Sequence, residues 1–139
     1  MEENQFSRTL LLIGESGLEK LKNAKVAVFG LGGVGSYVVE ALVRSGVQNF
    51  VLVDKDVVSL SNINRQIIAT HNTVGRKKVE VMKERIFDIN PECIVEIYDL
   101  FLFNCCIAFY LIRYTEYVII SIVERICFTS KPPSFPRYE

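Results

Sequence analysis

The chain has 139 residues, 50% hydrophobic and 23% charged, a composition that excludes a disordered polymer and allows one domain with a real core. Its 16 Lys and Arg balance its 16 Asp and Glu to a formal net charge of zero, which excludes a nucleic-acid module held by bulk positive charge. Cys93, Cys105, Cys106 and Cys127 form no C-x-x-C pair and His71 is the single histidine, so no metal ligands are expected and reduced thiols in a cytoplasmic protein are.

The N-terminal stretch MEENQFSRTLLLIG has no basic region and only four consecutive apolar residues, so no secretory signal is expected. Residues 7–23 suggest one or two short helices, with Leu10, Ile13, Leu18 and Leu21 on the apolar face and a break at Gly14 and Gly17. Residues 25–29, KVAVF, form a β-branched run suited to a strand buried on both faces. That run enters Gly30-Leu-Gly-Gly-Val-Gly35, and a helix follows with Val34, Val38, Ala41, Leu42 and Ser45 on one face and Gly46 as its C-cap. Residues 50–53 read as a second strand ending at Asp54, which completes a right-handed βαβ unit.

Residues 59–68, SLSNINRQII, read as a loop leading into a short helix. Residues 75–90 read as a longer helix, with Val79, Met82, Ile86 and Ile89 in one stripe and Pro91 just beyond its end. Residues 94–98 and 116–122 are the third and fourth expected strands. Between them, residues 100–112 read LFLFNCCIAFYLI. Such a stretch is too short for the ~30 Å of a bilayer core, so a buried element is expected and no membrane partner. Composition shifts at about Asp99, and the chain closes on KPPSFPRYE, which suits neither helix nor central strand. The expected organisation is a nucleotide-binding region over residues 1–98 and a divergent or truncated segment over 99–139. The fold class is α/β, a Rossmann-like, mostly parallel sheet with flanking helices, of which this is the N-terminal nucleotide-binding half.

The chemistry concentrates at the glycine turn. Gly30-x-Gly32-x-x-Gly35 follows a strand and opens a helix, where glycines let phosphate oxygens approach amide N–H groups at the positive end of that helix. Asp54, at the end of the next strand, suits the ribose hydroxyls. This fingerprint alone does not separate ATP from NAD. Arg65 and Lys78 favour ATP, because fixed cations are what a departing pyrophosphate needs. Taken singly, both could also be solvated surface charges. Cys93 reads as a small buried residue and His71 as a loop residue.

Phe6-Ser-Arg8-Thr with Leu12-Ile-Gly14, the turn Gly30–Gly35, Asn62-Ile-Asn-Arg65-Gln66 and Lys78-Val-Glu80 together resemble the ThiF/MoeB/HesA adenylating superfamily, from Gln5 to about Tyr98. The wording Ser36-Tyr-Val-Val-Glu40-Ala-Leu-Val-Arg44-Ser-Gly46 is most similar to its tRNA threonylcarbamoyladenosine dehydratase branch. The resemblance implies a cytoplasmic homodimer that uses ATP and Mg2+ to activate a carboxylate as an acyl-adenylate. In that branch the carboxylate lies on a modified tRNA adenosine; in others it is the C-terminus of a ubiquitin-like sulfur carrier, a sulfur-relay partner. It further implies that Gly30, Gly32, Gly33 and Gly35 line the phosphates and that Asp54 holds the ribose. By the same resemblance, Asn62, Arg65 and Lys78 would contact the triphosphate, Arg8 would enter the partner subunit's site, and Asp56 would support the adjoining loop.

The family carries a D-x-x-D pair after its fourth strand, and alignment on residues 117–124 puts Ile120 and Val123 at those positions, with Glu124 adjacent. Neither aliphatic side chain can ligate a hard cation. A truncated member that binds nucleotide with little turnover is therefore expected. A non-catalytic nucleotide-binding or dimerisation module is the alternative from another class.

Overall fold

The structure, a computed structural model, describes residues 4–100 together with the strand at 117–121. In chain order it contains α1 (Ser7–Asn23), β1 (Lys25–Phe29), α2 (Gly35–Ser45), β2 (Asn49–Val53), a single 3-10 turn (Leu60–Asn62), α3 (Lys78–Ile89), β3 (Ile94–Tyr98) and β4 (Tyr117–Ser121). The four strands form one sheet in the order β3-β2-β1-β4, and all its neighbours run parallel. The α/β Rossmann-like architecture read from the sequence is thus the one observed.

β1 and β2 are buried on both sides, as inner strands of a parallel sheet require, while β3 leaves Ile94, Glu96 and Tyr98 partly or largely exposed. On one side Val26, Val28, Phe50, Leu52 and Val95 join Val39 and Val43 of α2 and Val79, Met82 and Ile86 of α3 in the main core. On the other, Ala27, Phe29, Val51 and Val53 form a second buried cluster. Chain direction across the sheet reverses at β1: the chain steps out through β2 to β3, and β4 lies on the far side. The carboxyl ends at such a reversal leave a crevice, and open α/β sheets bind ligands there.

Three boundaries differ from the sequence expectation. Of the two glycines expected to break α1, Gly14 does so, with φ 67° and ψ 176°, while the helix continues through Gly17. The short helix expected within residues 59–68 reduces to Leu60–Asn62, because Ser59 and Asn62 cap one another reciprocally and close the turn after three residues. The helix expected from residue 75 begins at Lys78. Residues 75–77 are instead drawn alongside the segment after β2, through an antiparallel bridge between Val57 and Lys77. Hydrogen bonds from Val58 N–H to Arg76 O and from Gly75 N–H to Val58 O, each 2.8 Å, hold that arrangement. Gly46 ends α2 as expected, at φ 115°. The fourth strand falls inside its expected bounds. The readings at 101–116, Cys105, Cys106, Val123, Glu124 and Cys127 lie outside the described residues.

Candidate functional site

The loop from β1 to α2 is built on close approach. Gly30 has φ 91°, a left-handed conformation that L side chains rarely adopt. A Cβ on Gly35 would lie 1.9 Å from Gly30 O, so no larger residue can start this helix without displacing the turn. Ser36, fully buried, clamps the loop from within: its Oγ donates to Gly32 O at 2.6 Å and its N–H to the same oxygen at 3.2 Å. The first turn of α2 holds no acidic residue and no side chain caps it. The positive helix end therefore stays available to an anion. These features fit a nucleotide phosphate.

A chain of contacts joins this turn to Asp54, Asp56, Lys78 and Arg65. Asp54 Oδ2 accepts from Leu31 N–H at 2.7 Å, and Asp54 Oδ1 accepts from Asp56 N–H at 2.8 Å. Each carboxylate oxygen keeps capacity for a further donor such as a ribose hydroxyl. Lys78 Nζ donates to Asp56 Oδ2 at 3.0 Å, and Lys78 N–H donates to Asp56 O, also at 3.0 Å. On the other flank the Arg65 side chain lies over Gly33, whose added Cβ would sit 3.5 Å from Arg65 Cγ. Arg65 Nη1 donates to Ser61 O at 3.1 Å and to Asn64 Oδ1 at 3.0 Å. Among the described residues no carboxylate neutralises the Arg65 guanidinium.

Asn62 is buried, and its Oδ1 accepts from Ser59 N–H at 3.1 Å. It therefore shapes the turn that carries Arg65. Beside it, Gln66 is buried with its Oε1 unpartnered among the described residues. Arg8, exposed on α1, has no hydrogen-bond or ion-pair partner among the described residues and stands outside this chain of contacts. Sequence reasoning missed two parts of the arrangement: Ser36, whose signal was its place directly after Gly35, and the Leu31 amide, which has no side-chain signal at all.

Elsewhere the polar groups are structural. Glu40 on α2 accepts from Arg44 at 2.6 Å and from Arg85 of α3 at 2.9 Å and 3.0 Å. Burial works to raise the Glu40 carboxyl, and the hydrogen bonds from Arg85 and then Arg44 outweigh it, so its pKa lies below its ordinary value. Burial, helped by the charge of Glu92, pushes the Cys93 thiol up to about 11. With its Sγ directed at Val47 O, 3.7 Å away, Cys93 is a packed residue and not a nucleophile. Among the described residues, no three His, Cys, Asp or Glu side chains converge on a possible metal position, and no helix is long and apolar enough to cross a membrane.

A protein-family model described as the ThiF family matches residues 6–119. The chain belongs to the ThiF family. The match runs through β3 and into β4, beyond the composition shift at Asp99. A tRNA threonylcarbamoyladenosine dehydratase of Bacillus subtilis is 61% identical over 90 residues, covering 65% of this chain and 35% of that protein. Crystal structures of the Escherichia coli tRNA N6-threonylcarbamoyladenosine dehydratase, TcdA, in complex with AMP and with ATP superpose with a TM-score of 0.80 at 41% identity, over 87% of this chain and 49% of theirs. A probable molybdopterin-synthase adenylyltransferase of Gracilaria tenuistipitata is 38% identical over 109 residues, 76% of this chain and 31% of its own length. The chain thus spans between about a third and a half of the length of these ThiF relatives.

Proposed function

We propose that the chain binds ATP at the turn between β1 and α2 and is the nucleotide-binding part of an enzyme that adenylates a carboxylate, of the tRNA threonylcarbamoyladenosine dehydratase kind. The observation that carries this reading is the chain of contacts that ties Gly33 to Arg65 on one flank and Leu31, Asp54, Asp56 and Lys78 together on the other. ATP would supply the activation: the substrate carboxylate attacks the α-phosphorus, pyrophosphate leaves with the broken P–O bond, and later ring closure expels AMP. The loop amides and the helix end receive the phosphates. Asp54 fixes the turn and holds the ribose. Arg65 and Lys78 bring positive charge to the oxygens on which negative charge accumulates.

Identity favours the dehydratase branch, at 61%, over the molybdopterin-synthase adenylyltransferase branch, at 38%. The sulfur-carrier partner of the second reading is therefore the weaker assignment. tRNA as substrate is suggested by the names of the same relatives, and a cytoplasmic setting is part of the same proposal. A homodimer with Arg8 entering the partner's site belongs to this reading as well. Its support is that Leu11 and Leu12, close to Arg8 on α1, are 77% and 86% exposed, an adjacent pair of large apolar side chains that a partner subunit would cover. For Mg2+, the described residues do not fit a site of their own, and none is given a role toward it.

Calorimetric titration with ATP, AMP and NAD tests the reading. ATP and AMP should bind and compete, NAD should not, and Arg65→Glu with Lys78→Glu should weaken ATP by at least tenfold through the lost charge contacts. A well-folded chain with no affinity for adenine nucleotides, or one whose ATP affinity ignores both reversals, would refute it. ATP–pyrophosphate exchange with and without threonylcarbamoyladenosine-modified tRNA then separates binding from turnover.

A further inference from the structure

Lys78 is an ammonium in a place where an ammonium is costly. Its side chain is 7% exposed, while that of Asp56 is 55% exposed. A buried charge without a partner forfeits several kcal/mol of hydration. Asp56 is the one partner of Lys78 among the described residues, and it grips the lysine twice, by its carboxylate at 3.0 Å and by its backbone oxygen at 3.0 Å. Asp56 is itself anchored, because its N–H donates to Asp54 Oδ1 and the other Asp54 oxygen holds the glycine turn through Leu31 N–H.

We infer that Asp56 is a positioning residue: its carboxylate fixes the Lys78 ammonium relative to the glycine turn, so that the remaining N–H donors meet the outer phosphates of ATP. This rests on the ATP-binding reading above and deepens it. An ammonium carries three donors; one is spent on Asp56 Oδ2, and two are left. Without the carboxylate, the flexible four-carbon stem has no fixed end, and a pre-arranged contact becomes one that must be ordered during binding. Asp56 thereby acts on the β- and γ-phosphates through Lys78, without touching them.

The test is a double-mutant cycle on the full chain, read by calorimetric titration with ATP and with AMP. Asp56→Asn keeps the shape and loses the charge; it should weaken ATP about tenfold, the scale of a charge-assisted hydrogen bond, and AMP by less than about twofold. Asp56→Glu, which restores the carboxylate, should recover most of that loss. In a Lys78→Met background, Asp56→Asn should cost no further ATP affinity. An equal loss for ATP and AMP, no recovery with Glu, or additive losses in the Met background would overturn the inference. If the wild type binds neither nucleotide, it is the ATP reading that fails. A measurement on the wild type alone covers the case in which Asp56→Asn does not fold. The shielded Lys78 ammonium should give a resolved 15Nζ resonance that shifts with saturating ATP and much less with AMP, and equal shifts would count against the role.

Discussion

Glu40 shows how much a single side chain can do away from the turn. It sits on α2, carries two arginines and connects α2 to Arg85 of α3, so it helps set the angle at which α2 presents its N-terminus. The folded carboxyl releases its proton more readily than an unfolded one, whose ordinary value is 4.5. Its contribution to stability is therefore complete above that pH and lost as pH falls through the lower folded value. Acid titration of the thermal midpoint should show a decline beginning below about pH 4.5. Glu40→Gln should flatten that decline and cost about 2 kcal/mol at neutral pH, since the charge-assisted hydrogen bonds from Arg44 and Arg85 weaken while both arginines keep access to water. An unchanged acid profile in the variant would assign the decline to other carboxylates. None of this was legible in the sequence, where Glu40 and Arg44 were only helical neighbours and Arg85 lay 45 positions away from Glu40.

At the scale of elements, β1 and β3 were legible to the residue, because five-residue β-branched runs bounded by turns leave little choice. α2 was legible for its terminal glycine but not for its apolar face: the expected stripe of Val34, Val38, Ala41, Leu42 and Ser45 is exposed or half-buried, and Val39 and Val43 turn to the core instead, because the sheet and α3 select the face that packs. The start of α3 was not, because residues 75–77 answer to a bridge formed with Val57, and a local pattern carries no record of a distant partner. The same limit applies to Lys78: its spacing from Asp54 suggested a site, but its burial and its pairing with Asp56 needed the fold. α1 is the intermediate case, since two glycines were candidates for the break and the structure uses Gly14. At φ 67° and ψ 176° that residue occupies a region essentially closed to side chains, although nothing lies within 4 Å of an added Cβ. Gly14→Ala should thus destabilise by about 1–3 kcal/mol through backbone strain alone. Gly14→Ser should cost the same in a denaturant titration; a small cost for both would mean that α1 straightens freely.

For the molecule as a whole, the proposed nucleotide crevice lies where the order of strands reverses, and the residues proposed to serve it come from the ends of β1 and β2, the loop that carries Arg65 and the start of α3. A ligand bridging these parts stabilises all of them at once. Free ATP at one hundred times its dissociation constant should add about 2.7 kcal/mol by mass action and raise the thermal midpoint by several degrees, with NAD giving no rise. The reversal has a consequence for the chain's own birth. Lys25 is in register with Asn49 on one side and with Tyr117 on the other, so β1 acquires its first neighbour early in translation and its second only after about seventy more residues. Closing so long a loop is entropically expensive, and pairings of that span make folding slow. During synthesis the open edge of β1 is the place where a nascent chain would engage a chaperone or a second ribosome's product, until β4 emerges to seal it.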